Sequence, residues 1–286
     1  MSNSAGKLII CPTPLGNLGD MTVRAREALE ACDVVCCEDT RVTGKLLSAL
    51  GISKRLERLD EASIAAKADA VLDRVEAGER VCYCSDAGMP GVSDPGQRLI
   101  DRAYERDLPV EVLPGGTAVA TAYVASGFTA PSFYFGSFFP RKAGERRAVL
   151  ESLSALDVVL VFYESPQRIA SALEAVVEVL PQRRVAVCRE LTKLHEEVVR
   201  GSAAEVAAIF SARAAESSIK GEIVLVIDAP GEAEARSRAD SSKNDAAAEA
   251  AALLVAGELS KKEIVAHLRE AYGLSRNDAY EIVHGA

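Results

Sequence analysis

Apolar residues along this chain fall into two alternating patterns. Short apolar runs, the signature of buried strands, alternate with longer stretches in which apolar positions recur at helical spacing. The runs at 7–11 (KLIIC), 33–37, 80–84 and 110–113 predict strands, and the stretches at 22–32, 41–50, 62–77 and 95–106 predict helices between them. Gly51 and Gly78 terminate two of these helices, as residues that accept the left-handed conformation do. Pro95 falls in the first turn of the last one, where its missing N–H costs nothing. The alternation resumes with strands at 158–163, 184–188 and 222–227 and helices at 166–180 and 202–214. This order predicts an α/β fold, with one α/β domain over 7–118 and a second over 119–228.

Periodicity stops at 229–245 (APGEAEARSRADSSKND), which reads as an exposed linker of small and charged residues. Three helical segments follow at 246–256, 260–271 and 276–284, forming a small C-terminal helical module over 246–286. Ser260 followed by Glu263 is a capping-box pattern for the middle segment. A helix-turn-helix-like arrangement is one reading of this module, and docking or dimer support is another.

The unusual polar sequences come directly after strands: PTPLGNLGD (12–20), EDTR (38–41), SDAGMPGVSDPG (85–96), PGGTA (114–118), YESPQR (163–168) and RELTK (189–193). In open α/β sheets ligands bind outside the carboxyl ends of strands, so these loops predict one cleft. The first and third lack Lys and Arg and carry Asp20, Asp86 and Asp94. Neither GxxxxGK[ST] nor GxGxxG occurs, which argues against a triphosphate and a Rossmann-bound dinucleotide. A cationic or neutral ligand held by backbone groups and carboxylates fits better. Plainer roles stay open at this point: Asp86 or Asp94 as helix caps, and Glu38 and Asp39 as acids in a first helical turn.

Composition adds limits. With 49% hydrophobic residues in 286, the chain can bury a sizeable core. It has no apolar run of about 18 residues and no secretory signal pattern. A soluble cytoplasmic protein without membrane association is expected. The net charge of −9 argues against broad coating of nucleic acid, while leaving room for a local basic patch. Arg141, Lys142, Arg146 and Arg147 follow the aromatic run Phe133, Tyr134, Phe135, Phe138 and Phe139, a combination suited to phosphates and stacked bases. A buried aromatic strand followed by a solvated helix start is the alternative. Seven cysteines lie mostly in apolar runs such as DVVCC and RVCYC. They read as small hydrophobes, and no metal site is expected.

Taken in order, PTPLGNLGDMTVRA, EDTR, SDAGMPGVSDPG, LPGGTA, FYESPQR, RELTK and KGEIVLVI resemble the bacterial ribosomal RNA small subunit methyltransferase I family, a branch of the tetrapyrrole methylase-like enzymes. The resemblance covers 7–227 strongly and the tail loosely. It implies two α/β domains with S-adenosyl-L-methionine in the cleft between them, and a homodimer. It also implies methyl transfer to the ribose 2′-hydroxyl of a cytidine in the decoding region of small-subunit (16S) ribosomal RNA, within the assembled small subunit. By motif, Ser85, Asp86, Ala87, Gly88, Met89, Thr117, Ala118, Phe162, Tyr163, Leu191, Gly221, Glu222 and Ile223 are the cofactor residues. The first loop, with Pro14, Gly16, Asn17 and Asp20, faces the acceptor. Arg41, Arg168 and Lys193 add candidate phosphate contacts beside the basic patch.

Deprotonating a ribose hydroxyl during in-line attack calls for a base. Glu38 and Asp39 are the first candidates, because EDTR lies beside the expected acceptor side. Glu164, Glu190 and a Lys193 neutralised by burial come after them, and Glu164 and Glu190 read equally well as ion-pair partners of Arg168 or Arg189. This chain departs from the family pattern at 60–63, where a His/Asn-rich stretch is missing. It departs also at Met89, at Gly116 in place of a proline, and at Gln167 in place of a histidine. Methylation of a tetrapyrrole or other small acceptor, and a nonenzymatic RNA- or ribosome-binding role, remain as competing readings.

Overall fold

The structure, a computed structural model, describes residues 6–257 and 259–285. They belong to two compact units divided between Ala229 and Pro230.

The first unit contains two five-stranded sheets. One comprises β1 (Lys7–Ile10), β2 (Val34–Cys37), β3 (Leu56–Arg58), β4 (Arg80–Cys84) and β5 (Val110–Val112). They run all-parallel in the order β3-β2-β4-β1-β5. Helices α1 (Val23–Ala31), α2 (Thr40–Ala49), α3 (Glu61–Glu76) and α4 (Gln97–Glu105) connect them. Parallel strands covered on both faces must be apolar at odd and even positions alike, and the inner strands β1, β2 and β4 are, apart from Lys7 and Arg80 at their starts. Leu8, Ile10, Val34, Cys36, Val81 and Tyr83 pack into one core with Ile64, Leu72 and Leu99 of α3 and α4. Ile9, Cys11, Val35, Cys37, Cys82 and Cys84 pack into the other with Leu29 and Leu47 of α1 and α2. All seven cysteines are buried free thiols and serve as small core residues.

The second sheet comprises β6 (Phe133–Phe138), β7 (Val159–Glu164), β8 (Arg184–Arg189), β9 (Glu197–Ser202) and β10 (Ile223–Ile227), ordered β6-β7-β10-β8-β9. Only β6 and β7 pair in parallel. Helix α5 (Ala118–Ser126) covers one face, and α6 (Ala143–Leu153), α7 (Ile169–Val179) and α8 (Ala203–Glu216) the other. The antiparallel register has one consequence for function. Ile223, at the start of β10, lies opposite both Glu164 at the end of β7 and Arg189 at the end of β8, so three loops share one sheet edge.

The second unit contains α9 (Glu232–Ala256), α10 (Lys261–Tyr272) and α11 (Arg276–Gly285) around Ala246, Ala250, Ile264, Leu268, Ala279 and Val283. The Ser260–Glu263 capping box is formed. Residues 229–245 differ from the sequence reading, because helix α9 already begins at Glu232. Glu232 and Glu234 suit its amino end. Among the described residues its fully buried ones are Ala246 and Ala250, and the sequence of the earlier turns carries no apolar stripe to reveal them. Among the described residues no helix is long and apolar enough to cross a membrane.

Candidate active site

The loops after β1 and β4 are joined by two backbone bonds: Thr13 N–H donates to Gly88 O (2.9 Å) and Gly88 N–H to Thr13 O (3.0 Å). Across from them lie the ends of β7 and β8 and the start of β10. Between the two sheets is a cavity of about 320 Å³, within the range of small-molecule sites. The first-sheet side contributes Leu15, Ala87, Gly88, Met89, Val92 and Asp94, and the chain entering α5 adds Thr117 and Ala118. The second contributes Phe138, Tyr163, Glu164, Leu191, Glu222 and Ile223, with Gly221 between them. Gly221 has φ +100°, and a Cβ there would meet Glu190 Cγ at 2.6 Å, so only glycine fits this wall.

Of the residues that the resemblance placed at a cofactor, Ser85, Asp86 and Phe162 do not line this cavity. Phe162 is 1% exposed in the core beneath α6–α8. It neighbours Tyr163 in a strand, where adjacent side chains point to opposite faces, and Tyr163 takes the cavity side. Ser85 is buried under the loop, with its carbonyl accepting from the Thr13 hydroxyl. Asp86 lies in an adjoining groove of about 240 Å³, with Thr13, Pro14, Gly16, Leu18 and Lys45. Leu15, Val92, Asp94, Ser165 and Pro166 lie in loops that the sequence places at the cleft without naming them as cofactor residues, whereas Phe138 in the aromatic run, Cys188 and Val224 were not expected in this wall. Asp94 and Phe138 were visible as an acidic loop residue and an aromatic, without a sign of where they point. Their neighbours Ser93 and Ser137 both have positive φ (+64° and +57°), and their hydroxyls meet at 2.8 Å across the two sheets.

The cavity wall is apolar apart from a few acids. Burial, then the negative charge of Glu38, pushes the Asp94 carboxyl up to about 6, opposed by a hydrogen bond from Ser85. Burial and then Asp86 raise Glu38, against a hydrogen bond from the Asp86 backbone. Burial likewise raises Asp86, which accepts from Asp39 N–H at 3.1 Å. Glu164 has a fully buried side chain bonded to Arg168 (Arg168 Nε to Oε1, 2.8 Å), while its Oε2 has no hydrogen-bond partner among the described residues. Carboxylates desolvated beside an apolar cavity favour a ligand that brings positive charge.

Several candidates have other occupations. Asp39 caps α2 and grips Arg41 through both carboxylate oxygens; these bonds hold its carboxyl well below the usual range, which makes it a poor proton acceptor. Glu38 is not among the residues lining either space, but it is coupled to Asp94 and Asp86. Glu190 accepts from Lys193 and from the Glu222 backbone at 2.9 Å each. Burial pulls Lys193 down, yet hydrogen bonds to Glu222 and Glu190 more than offset it, so its pKa is raised and it is not a neutral base. The lysine stem lies across the first loop: a Cβ on Gly16 would come within 2.4 Å of Lys193 Cγ. Asn17 caps the short turn Leu18–Asp20 by accepting from Gly19 N–H, and Asp20 is exposed in that turn.

The basic patch is divided. Arg146 is 6% exposed and donates to Pro140 O, Arg141 O and Ser171 Oγ. It therefore anchors the start of α6 and offers no phosphate contact. Arg147 pairs with Glu151 and Glu178 and Lys142 with Glu145, all at the surface. Arg141 is exposed. Arg168 is committed to Glu164. At 60–63, Asp60 and Ser63 form the capping box of α3.

The fold of the first unit is shared with solved structures. A diphthine synthase superposes with a TM-score of 0.62 at 15% identity, over 78% of this chain and 90% of that one. The model of the family described as tetrapyrrole (corrin/porphyrin) methylases matches residues 7–207, and the chain belongs to that family. Within it the chain is similar to proteins named ribosomal RNA small subunit methyltransferase I. One from Erythrobacter litoralis is 42% identical over 273 residues, 96% of this chain and 92% of the relative. One from Thermotoga maritima is 39% identical over 222 residues, 78% of this chain and 98% of the relative.

Proposed function

We propose that this protein methylates small-subunit ribosomal RNA in the cytoplasm, using S-adenosyl-L-methionine, at the ribose 2′-hydroxyl of a cytidine in the decoding region. The observation that carries the donor half is the cavity itself, with apolar walls, Asp94 and Glu222 at its lining, and no unpaired cation among the residues that line it. A sulfonium nucleoside matches these features, with apolar and aromatic walls for its rings and carboxylates for its positive groups. When bound, the donor supplies an electrophilic methyl group. Leu15, Met89, Tyr163, Leu191 and Ile223 enclose it and exclude water, while Asp94 and Glu222 favour its charge. The acceptor half rests on the similarity to the ribosomal RNA methyltransferases and on the groove whose wall residues Pro14, Gly16 and Asp86 alternate along the chain with the cavity residues Leu15 and Ala87. Of the two carboxylates offered as base, Asp39 is held by Arg41, and Glu38 lines neither the cavity nor the groove, so its proposed part is electrostatic, through the charge it places beside Asp86 and Asp94. Dimerisation and use of the assembled subunit belong to the same proposal.

Labelled methyl transfer to purified unmethylated small subunits, to free ribosomal RNA and to a tetrapyrrole precursor tests this. Subunits are expected to be labelled, with 2′-O-methylcytidine recovered after digestion and the rate reduced in Glu38→Gln. Labelling of the tetrapyrrole alone would assign the chain to a small acceptor.

The electrostatics give a pH dependence. Protonating Asp94 removes negative charge from the cavity, so affinity for the cationic donor should fall as pH drops through about 6. The neutral thioether of S-adenosylhomocysteine should respond less. Asp94→Asn should flatten the ratio of the two affinities between roughly pH 5 and 7; a ratio that still changes in this variant assigns the titration to another group.

A further inference from the structure

The segment between β8 and β9 holds the most exposed large apolar side chain described in the molecule. Leu194 is 92% exposed. A lone surface leucine ordinarily needs no explanation, but this one sits on a tightly constrained support. Glu190 and Thr192 both have positive φ (+53° and +67°), a conformation that non-glycine residues keep only where their surroundings enforce it. Glu190 N–H donates to Glu222 O (2.9 Å), Lys193 N–H to Glu190 O (3.0 Å) and Glu196 N–H to Lys193 O (3.1 Å). The Lys193 ammonium is held between Glu190 and Glu222, and its stem lies against Gly16 of the first loop. The segment thus turns Leu191 into the donor cavity and, three residues on, presents Leu194 to solvent. Leu18, 49% exposed, lines the neighbouring groove two residues beyond Gly16.

We propose that Leu194 is a wedge that props the acceptor nucleotide out of its stack, so that its ribose enters the groove lined by Thr13, Pro14, Gly16, Leu18, Lys45 and Asp86. This rests on the RNA reading above. A hydroxyl in a stacked strand cannot reach a methyl group held between two sheets unless its nucleotide swings out. Unstacking costs a few kcal/mol, and apolar side chains inserted between bases are a known way to offset it. A rigid loop suits such a wedge, because a flexible one would yield before the stack does. Leu194 acts here as a positioning residue and touches no reacting atom.

The test compares Leu194→Ala, Leu194→Met and Leu194→Lys with wild type on purified unmethylated small ribosomal subunits. The alanine variant should lose about tenfold or more in kcat/KM, on the scale of an unstacking cost. Its melting temperature and affinity for S-adenosylhomocysteine should match wild type. Methionine, similar in volume and apolar, should recover activity to within about threefold, and lysine should not. No loss in the alanine variant, a loss shared with melting or donor binding, or rescue by lysine as good as by methionine would each overturn the wedge. Failure of wild type to methylate subunits would instead overturn the RNA reading, and the wedge would fall with it.

Discussion

Tryptophan at position 118 is expected to leave the fold intact and to remove donor binding. Ala118 opens α5 on the cavity wall, half-buried at the border of the core on that face, and the open side available to an indole there is the cavity. The helix start itself is held by Thr117, whose hydroxyl accepts from Ala120 N–H, and this cap does not involve the Ala118 side chain. In a cavity of about 320 Å³ an indole takes a large share of the room a nucleoside needs. Affinity for S-adenosylhomocysteine should fall more than about a hundredfold, a loss of roughly 3 kcal/mol, with melting shifted by no more than a few degrees. Undiminished binding in this variant would place the donor elsewhere on the molecule.

Arg168→Ala carries the second large effect, on stability. The Glu164 side chain is fully buried and its charge is met by Arg168, itself 25% exposed. The Arg168 Nε also donates to Ser165 Oγ at 3.0 Å. Removing the guanidinium strands a carboxylate beside the cavity with, among the described residues, the Ser165 N–H alone to satisfy it. Breaking such a pair costs about 3 kcal/mol, which for a unit of this size lowers the melting temperature by about 6–12 °C. Adding Glu164→Gln to the same chain should recover part of the loss, because the buried charge is then gone. An unchanged melting temperature combined with weaker RNA binding would return Arg168 to the phosphate contact suggested by its sequence position.

The order of the buried strands and the crowding of unusual loops behind them could be read from the chain, because buried strands leave continuous apolar runs; the edge strands β3 and β9, polar and only partly buried, left none. The edge that gathers the loops after β7 and β8 and before β10 follows from that order only once the antiparallel register is known. Elements with no burial contrast were illegible. Helix α5, AVATAYVAS, has small or apolar residues all round, and the early turns of α9, EAEARSRADSSKND, carry no apolar periodicity in the sequence. Side-chain direction was the harder limit. Phe162 and Tyr163 are neighbours in one motif, yet one is core and the other cavity wall. Arg146 and Arg147 look equivalent in RKAGERR, but a single helical step buries the first and exposes the second. The tail poses a different question. The Thermotoga maritima relative is matched over nearly its whole length by 78% of this chain, so about a fifth of this chain, comparable to the unit that begins at Pro230, has no counterpart there.

The most direct test of the whole proposal is calorimetric titration of the purified chain with S-adenosylhomocysteine near neutral pH. One site per chain is expected, abolished by Ala118→Trp and preserved in Leu194→Ala. An absence of binding to the wild-type chain, or binding that Ala118→Trp does not disturb, would contradict a donor site between the two sheets.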